Sequence, residues 1–183
     1  MTLDSSVYPT EVPATPKLVP VFVINLKTSY DPEAIYVNST TDKTLQLATL
    51  SDGEIKTVPN SLGFELDVSG IHGFDDLTSK PSHGATILDC KLYGKTPNGS
   101  GVYVKYAGVV QFLEATVKVL TKEEKLSRFE DGYITCNPFF EFDDKVEDKY
   151  KWVLKENIIG KGRFVRDSDD VIYVQYYAYV LRY

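Results

Sequence analysis

The chain is poor in the residues from which small stapled or metal-built domains are made. It has two cysteines, Cys90 and Cys136, in 183 residues. That is too few for a disulfide framework, and each lies in an apolar, strand-like run, so both read as small buried hydrophobes. The two histidines, His72 and His83, have no Cys or His neighbour at ligand spacing, so no metal is expected. There is no glycine-rich phosphate loop, nucleophile elbow or H-E-x-x-H motif, and Gly160-Lys161-Gly162 is too short for a dinucleotide fingerprint. No cofactor is expected on these grounds. Lysine and arginine never gather into a basic run and the net charge is −6, which argues against nucleic acid as a partner. Apolar runs stay under the ~18 residues of a membrane-spanning helix. The stretch Met1-Thr2-Leu3-Asp4-Ser5-Ser6 lacks the basic and apolar regions of a signal peptide. The expectation is a cytoplasmic protein with no membrane partner.

What is present leans towards strands. Hydrophobic residues make up 43% of the chain and aromatics 13%, with 13 Tyr against one Trp and one Met; aromatic and β-branched residues favour pleated, half-buried surfaces. Residues 1–16, with three prolines, read as an N-terminal arm, and residues 17–183 as a single domain. Strands are predicted over residues 18–26, 44–49, 54–58, 64–68, 86–93, 101–112, 133–142, 158–165 and 171–181, with 34–37 a short segment of uncertain type. Asp52-Gly53 and Asn98-Gly99 read as hairpin turns. Residues 69–83, rich in glycine and acids, read as a long exposed loop. Leu113, Val117 and Leu120 fall at helical spacing, and Val146, Tyr150, Val153 and Leu154 form a second apolar stripe, giving two short helices. Regular short strands with turns between them predict an all-β fold, an antiparallel barrel or sandwich.

Several short motifs recur in a familiar order. They are Leu88-Asp89, Tyr103-x-Lys105-x-x-Gly108, Tyr133-x-Thr135, Pro138-x-Phe140-Glu141, Tyr150-x-Trp152 and Gly160-x-Gly162. On these the chain, most strongly over residues 84–182, resembles the DUF3237 (UPF0311) family of small β-barrel proteins. The resemblance implies a calycin-like or allene-oxide-cyclase-like antiparallel β-barrel, and no established activity.

Candidate site residues come from the face patterns of the central hairpin. In a strand, alternate residues share a face, so Asp89, Lys91 and Tyr93 stand together, as do Tyr103 and Lys105. If Tyr93 faces Tyr103, then Lys91 faces Lys105, with Asp89 within reach of a lysine. We read this polar face as the barrel interior. The other reading is a solvated outer face, with Leu88, Cys90 and Leu92 against Val102 and Val104 as core. Glu141, Tyr133, Thr135 and Asn137 share a face of the third run, where a carboxylate, a phenol and an amide could polarise a carbonyl and move a proton. The residues expected to carry catalysis are Asp89, Tyr103 and Glu141; those expected to hold a ligand are Lys91, Lys105, Tyr133, Thr135 and Trp152, the last also readable as a packing anchor.

The expected function is a small-molecule-binding barrel, taking an apolar or aromatic ligand with a carbonyl or anionic end. The alternative is a cofactor-independent isomerase or cyclase on the same barrel. A filled barrel serving only as an interaction module would have no cavity. The tyrosines of residues 171–181 fall on both faces and suggest a homodimer.

Overall fold

Alternation of apolar and polar residues carries the chain through nine strands joined in one antiparallel sheet. The computed structural model describes residues 5–29 and 31–183. The strands are β1 (Lys17–Thr28), β2 (Glu33–Asn38), β3 (Lys43–Thr57), β4 (Ser69–Lys80), β5 (Ala85–Lys95), β6 (Gly101–Gln111), β7 (Tyr133–Phe142), β8 (Ile158–Arg166) and β9 (Ile172–Arg182). Their order is β1-β9-β8-β7-β6-β5-β4-β3-β2, and the second half of β3 returns to pair with β1, from Phe22↔Thr57 to Thr28↔Leu50. Eight strands thus close a barrel, while β2 lies outside it along the first half of β3. The two short helices are α1 (Glu114–Leu120) and the 3₁₀ segment Asp148–Leu154. Among the described residues no helix is long and apolar enough to cross a membrane.

The central hairpin forms in the expected register, with Lys91↔Lys105 and Tyr93↔Tyr103. Its turn uses Gly99 at φ 84°, and Asp143 holds it from outside by accepting the Ser100 hydroxyl at 2.5 Å and the Gly101 N–H at 2.8 Å.

Three local expectations fail. Asp52-Gly53 makes no hairpin, because β3 runs straight through it. A Cβ on Gly53 would lie 2.6 Å from the Asn25 carbonyl oxygen, so this glycine admits the close approach of β1 that seals the barrel. Residues 64–68 do not form a strand of their own; only Val68 bridges, to Ile55. Asn60 and Thr57 side chains instead fold this segment across one end of the barrel, accepting the N–H groups of Leu62, Phe64 and Leu66. Most of the predicted loop 69–83 is β4, a full barrel strand.

The same end is plugged by Trp152. Its ring stacks on Phe64 at 4.3 Å, and its Nε1–H donates to the Glu65 carbonyl at 2.7 Å. Here β7 and β8 share only two residue pairs, Thr135↔Lys161 and Cys136↔Gly160, and the 3₁₀ segment packs against the freed part of β7 with Tyr150 and Val153 buried.

On β9, Tyr176 points inward and is buried, while Tyr173, Tyr177 and Tyr179 lie half-buried on the outer face. Tyr177 meets Phe129 edge-on at 5.3 Å, and Arg163 lies over the same Phe129 ring at 4.5 Å. Phe129 thus covers part of the Tyr177 ring within one chain, while Tyr173 and Tyr179 remain half-buried.

Candidate functional site

The central hairpin brings its charged residues together as the spacing demands, but on the outside of the barrel. Lys91 Nζ lies 3.2 Å from an Asp89 carboxylate oxygen and 3.6 Å from Asp76, and Lys105 Nζ lies 3.8 Å from Asp89. The side chains of Lys105 and Asp89 are 53% and 49% exposed. Tyr93 and Tyr103 pack at 5.6 Å, and Glu141 pairs opposite Tyr103 on β7. The interior reading of Asp89, Lys91, Tyr103, Lys105 and Glu141 is therefore corrected. The period of two lets a strand bury one face or the other, and here Leu88, Cys90 and Leu92 turn inward with Val102 and Val104. Burying that apolar set is favourable, whereas each buried charge would cost several kcal/mol. Exposed ion pairs of this kind contribute about 0–1 kcal/mol.

The remaining expected residues stand elsewhere. Tyr133 and Thr135 lie on the outer face at the start of β7, beside Lys161, whose Nζ donates to the Gly132 carbonyl. Trp152 belongs to the plug at the closed end, so its reading as a packing anchor is the one the structure supports.

The barrel interior holds a different site. At the end opposite the Trp152 plug, a cavity of about 420 Å³ opens between the end of β1, the middle of β4, the start of β5, the end of β6 and the start of β9. That is within the range of small-molecule pockets, about 300–1,000 Å³. Most of its wall is apolar, with Leu50, Leu77, Leu88, Val110, Phe164 and Val174 contributing. Its mouth is lined by Ser29, Asp31, Pro32 and, beside α1, Leu120 and Thr121. Among the described residues, no lysine, arginine or histidine lines it.

One carboxyl stands in that wall. Asp75 on β4 is only 6% exposed and lines the cavity. The register sets it in an inward-facing row across four strands, Ala48–Asp75–Cys90–Tyr106. One carboxylate oxygen accepts the Asp89 backbone N–H at 3.0 Å. Burial drives this carboxyl up from the ordinary 3.8 to about 7; the Asp89 N–H opposes the rise, and the charges of Asp76 and Asp89 add to it. Tyr106 and Tyr176 line the same cavity with ring centroids 5.8 Å apart. Both phenols, and the thiols of Cys90 and Cys136, are pushed up by burial and stay neutral.

Asp75 was not among the residues expected from the sequence, because its strand read as a loop. A usable signal was present in parity: Ile71, Asp75 and Leu77 occupy alternate positions, and an acid on the parity of two aliphatics marks a carboxyl aimed at a core.

Comparison with known proteins agrees with this architecture. The family model described as "Protein of unknown function (DUF3237)" matches residues 16–181. No curated protein matches the chain. Among solved structures, a conserved protein of unknown function from Rhodopseudomonas palustris is 20% identical with a TM-score of 0.67, the match covering 93% of this chain and 100% of that one. A beta-barrel like protein from Acinetobacter baumannii AYE is 17% identical with a TM-score of 0.63, covering 93% and 99%. A protein from Penicillium herquei described as an enzyme is 16% identical with a TM-score of 0.55, covering 94% and 99%. At these identities the likeness is one of fold.

Proposed function

The chain belongs to the DUF3237 family, and from that premise we propose that it is a small-molecule-binding barrel, whose ligand enters the open end with an apolar or aromatic body and sets a neutral polar end against Asp75. The observation that carries this reading is the buried carboxyl of Asp75 in a mostly apolar cavity wall. Pockets for small molecules commonly combine an apolar lining with a few placed polar groups. A carbonyl or hydroxyl suits a carboxyl that is half protonated near neutral pH. An anionic end suits it poorly, because no cation among the described residues lines the cavity and an ionised Asp75 would repel it.

The test is a calorimetric titration with two ligands of similar aromatic body, 2-tetralone and 2-naphthoate, into wild type and Ala48→Phe. Ala48 lines the cavity beside Asp75, so the larger side chain fills it. The ketone should bind wild type, the carboxylate about tenfold more weakly or worse, corresponding to roughly 1.4 kcal/mol, and Ala48→Phe should bind neither. Ketone binding that survives Ala48→Phe would place the ligand elsewhere and refute the reading.

A second reading, a cofactor-independent enzyme on the same barrel, is favoured by the displaced carboxyl itself, since acids and bases tuned towards neutral pH gather at reactive sites. The Penicillium herquei protein described as an enzyme is of the same fold.

A further inference from the structure

We infer that Asp75 is the acid–base group of a proton transfer carried out on an enolisable ketone held in the open-end cavity, an inference that rests on the binding reading above. The geometry supplies three parts. A carboxyl that is itself buried sits in the wall of a mostly apolar cavity. One of its oxygens is fixed by the Asp89 N–H, which sets the orientation of the group. The phenols Tyr106 and Tyr176 line the same space, and a phenol hydroxyl there can donate to an oxygen that gains charge.

The step balances without any co-reactant. The ionised Asp75 takes a proton from the carbon beside the carbonyl. The C–H electron pair becomes the C=C bond of an enolate, and the C=O π pair moves onto oxygen. The protonated Asp75 then returns the proton, either to the same carbon or to the far end of a conjugated system. The first outcome is exchange when the Asp75 acid proton has first swapped with one from solvent at the open end, and the second is a double-bond shift. Ligand and protein end with the atoms and electrons they began with. A carboxyl displaced to about 7 divides its time between both forms near neutral pH, which suits a group that must accept and then return one proton.

The surroundings leave Asp75 as the group that titrates at the cavity wall in this range. β3 presents Ala48, β5 Cys90, β6 Tyr106, β7 Cys136 and β9 Tyr176; the thiols and phenols stay neutral through burial. Asp31 stands at the mouth, and Asp76, Asp89 and Lys91 belong to the outer surface.

The experiment follows loss of the α-proton signals of 2-tetralone in D₂O by NMR, with wild type, Asp75→Asn and Ala48→Phe. Asn keeps the size of Asp and can still accept the Asp89 N–H. Wild type should accelerate exchange above the buffer rate, and the acceleration should grow as pH rises through about 7. Asp75→Asn should lose on the order of 100-fold or more of the acceleration when each protein is compared at saturating 2-tetralone, so that weaker binding is not read as slower exchange. Ala48→Phe should show neither binding nor exchange. Wild type that binds 2-tetralone without accelerating exchange overturns this inference and leaves the binding reading standing, as does an Asp75→Asn variant that exchanges as fast as wild type. Absence of both binding and exchange in wild type overturns both.

Discussion

Asp75 is the residue on which the account turns, and its charge should be visible in stability before any ligand is added. Its carboxyl is displaced from 3.8 to about 7 in the fold by burial. Between those values the folded protein holds a proton that the unfolded chain releases. Stability from this group is therefore complete below about pH 3.8 and is lost as pH rises through about 7. Each pH unit of displacement is worth about 1.4 kcal/mol, so the loss is on the order of 4 kcal/mol. Asn carries no such loss. Denaturant melts of wild type and Asp75→Asn should diverge with pH, the variant gaining on wild type between about pH 4 and pH 8. A difference that stays flat across that window would mean that Asp75 is solvated. At this scale the sequence was partly legible. Pairing of Lys91 with Lys105 and placement of a carboxylate between them follow from spacing alone. The weight of Asp75 does not, because a carboxyl's chemistry depends on what surrounds it and those neighbours come from distant strands.

At the scale of elements, legibility followed turn chemistry and clean alternation. The β5–β6 hairpin was readable because Asn98-Gly99 sits between two alternating runs. β4 was not, because Gly70, Gly73 and paired acids dilute its pattern. Those glycines do not mark a loop: a Cβ on Gly73 would lie 2.0 Å from the Lys91 carbonyl oxygen, so the residue marks tight packing of β4 on β5. β8 repeats the device. A Cβ on Gly162 would lie 2.7 Å from two ring carbons of Tyr176 and 2.8 Å from Ile134, and one on Gly160 would lie 2.3 Å from the Cys136 sulfur. Gly162→Ala should therefore destabilise the protein by about 1–3 kcal/mol, as overpacking of a full core does, and should displace the Tyr176 ring that lines the cavity. Urea denaturation measures the first effect. A variant as stable as wild type would show that the β8–β9 wall yields more easily than this geometry allows.

For the whole molecule, regular strands and the DUF3237 motifs led to the right architecture, a closed antiparallel barrel with two short helices. What stayed hidden was the inside. In a barrel of this size both faces of several strands are partly covered, so local alternation separates the faces without saying which one turns inward. That choice is set by the summed apolar area of Leu88, Cys90, Leu92, Val102 and Val104 and their counterparts on the other strands. Closure then leaves one end plugged by Trp152 and Phe64 and the other open onto Asp75. The most direct test of this arrangement is a carbon-13 NMR titration of the aspartate carboxyls in labelled protein, alone and with 2-tetralone. The account predicts one carboxyl that titrates near pH 7, vanishes in Asp75→Asn, and shifts when the ketone is added. Aspartate carboxyls that all titrate below about pH 5, with none responding to the ketone, would contradict it.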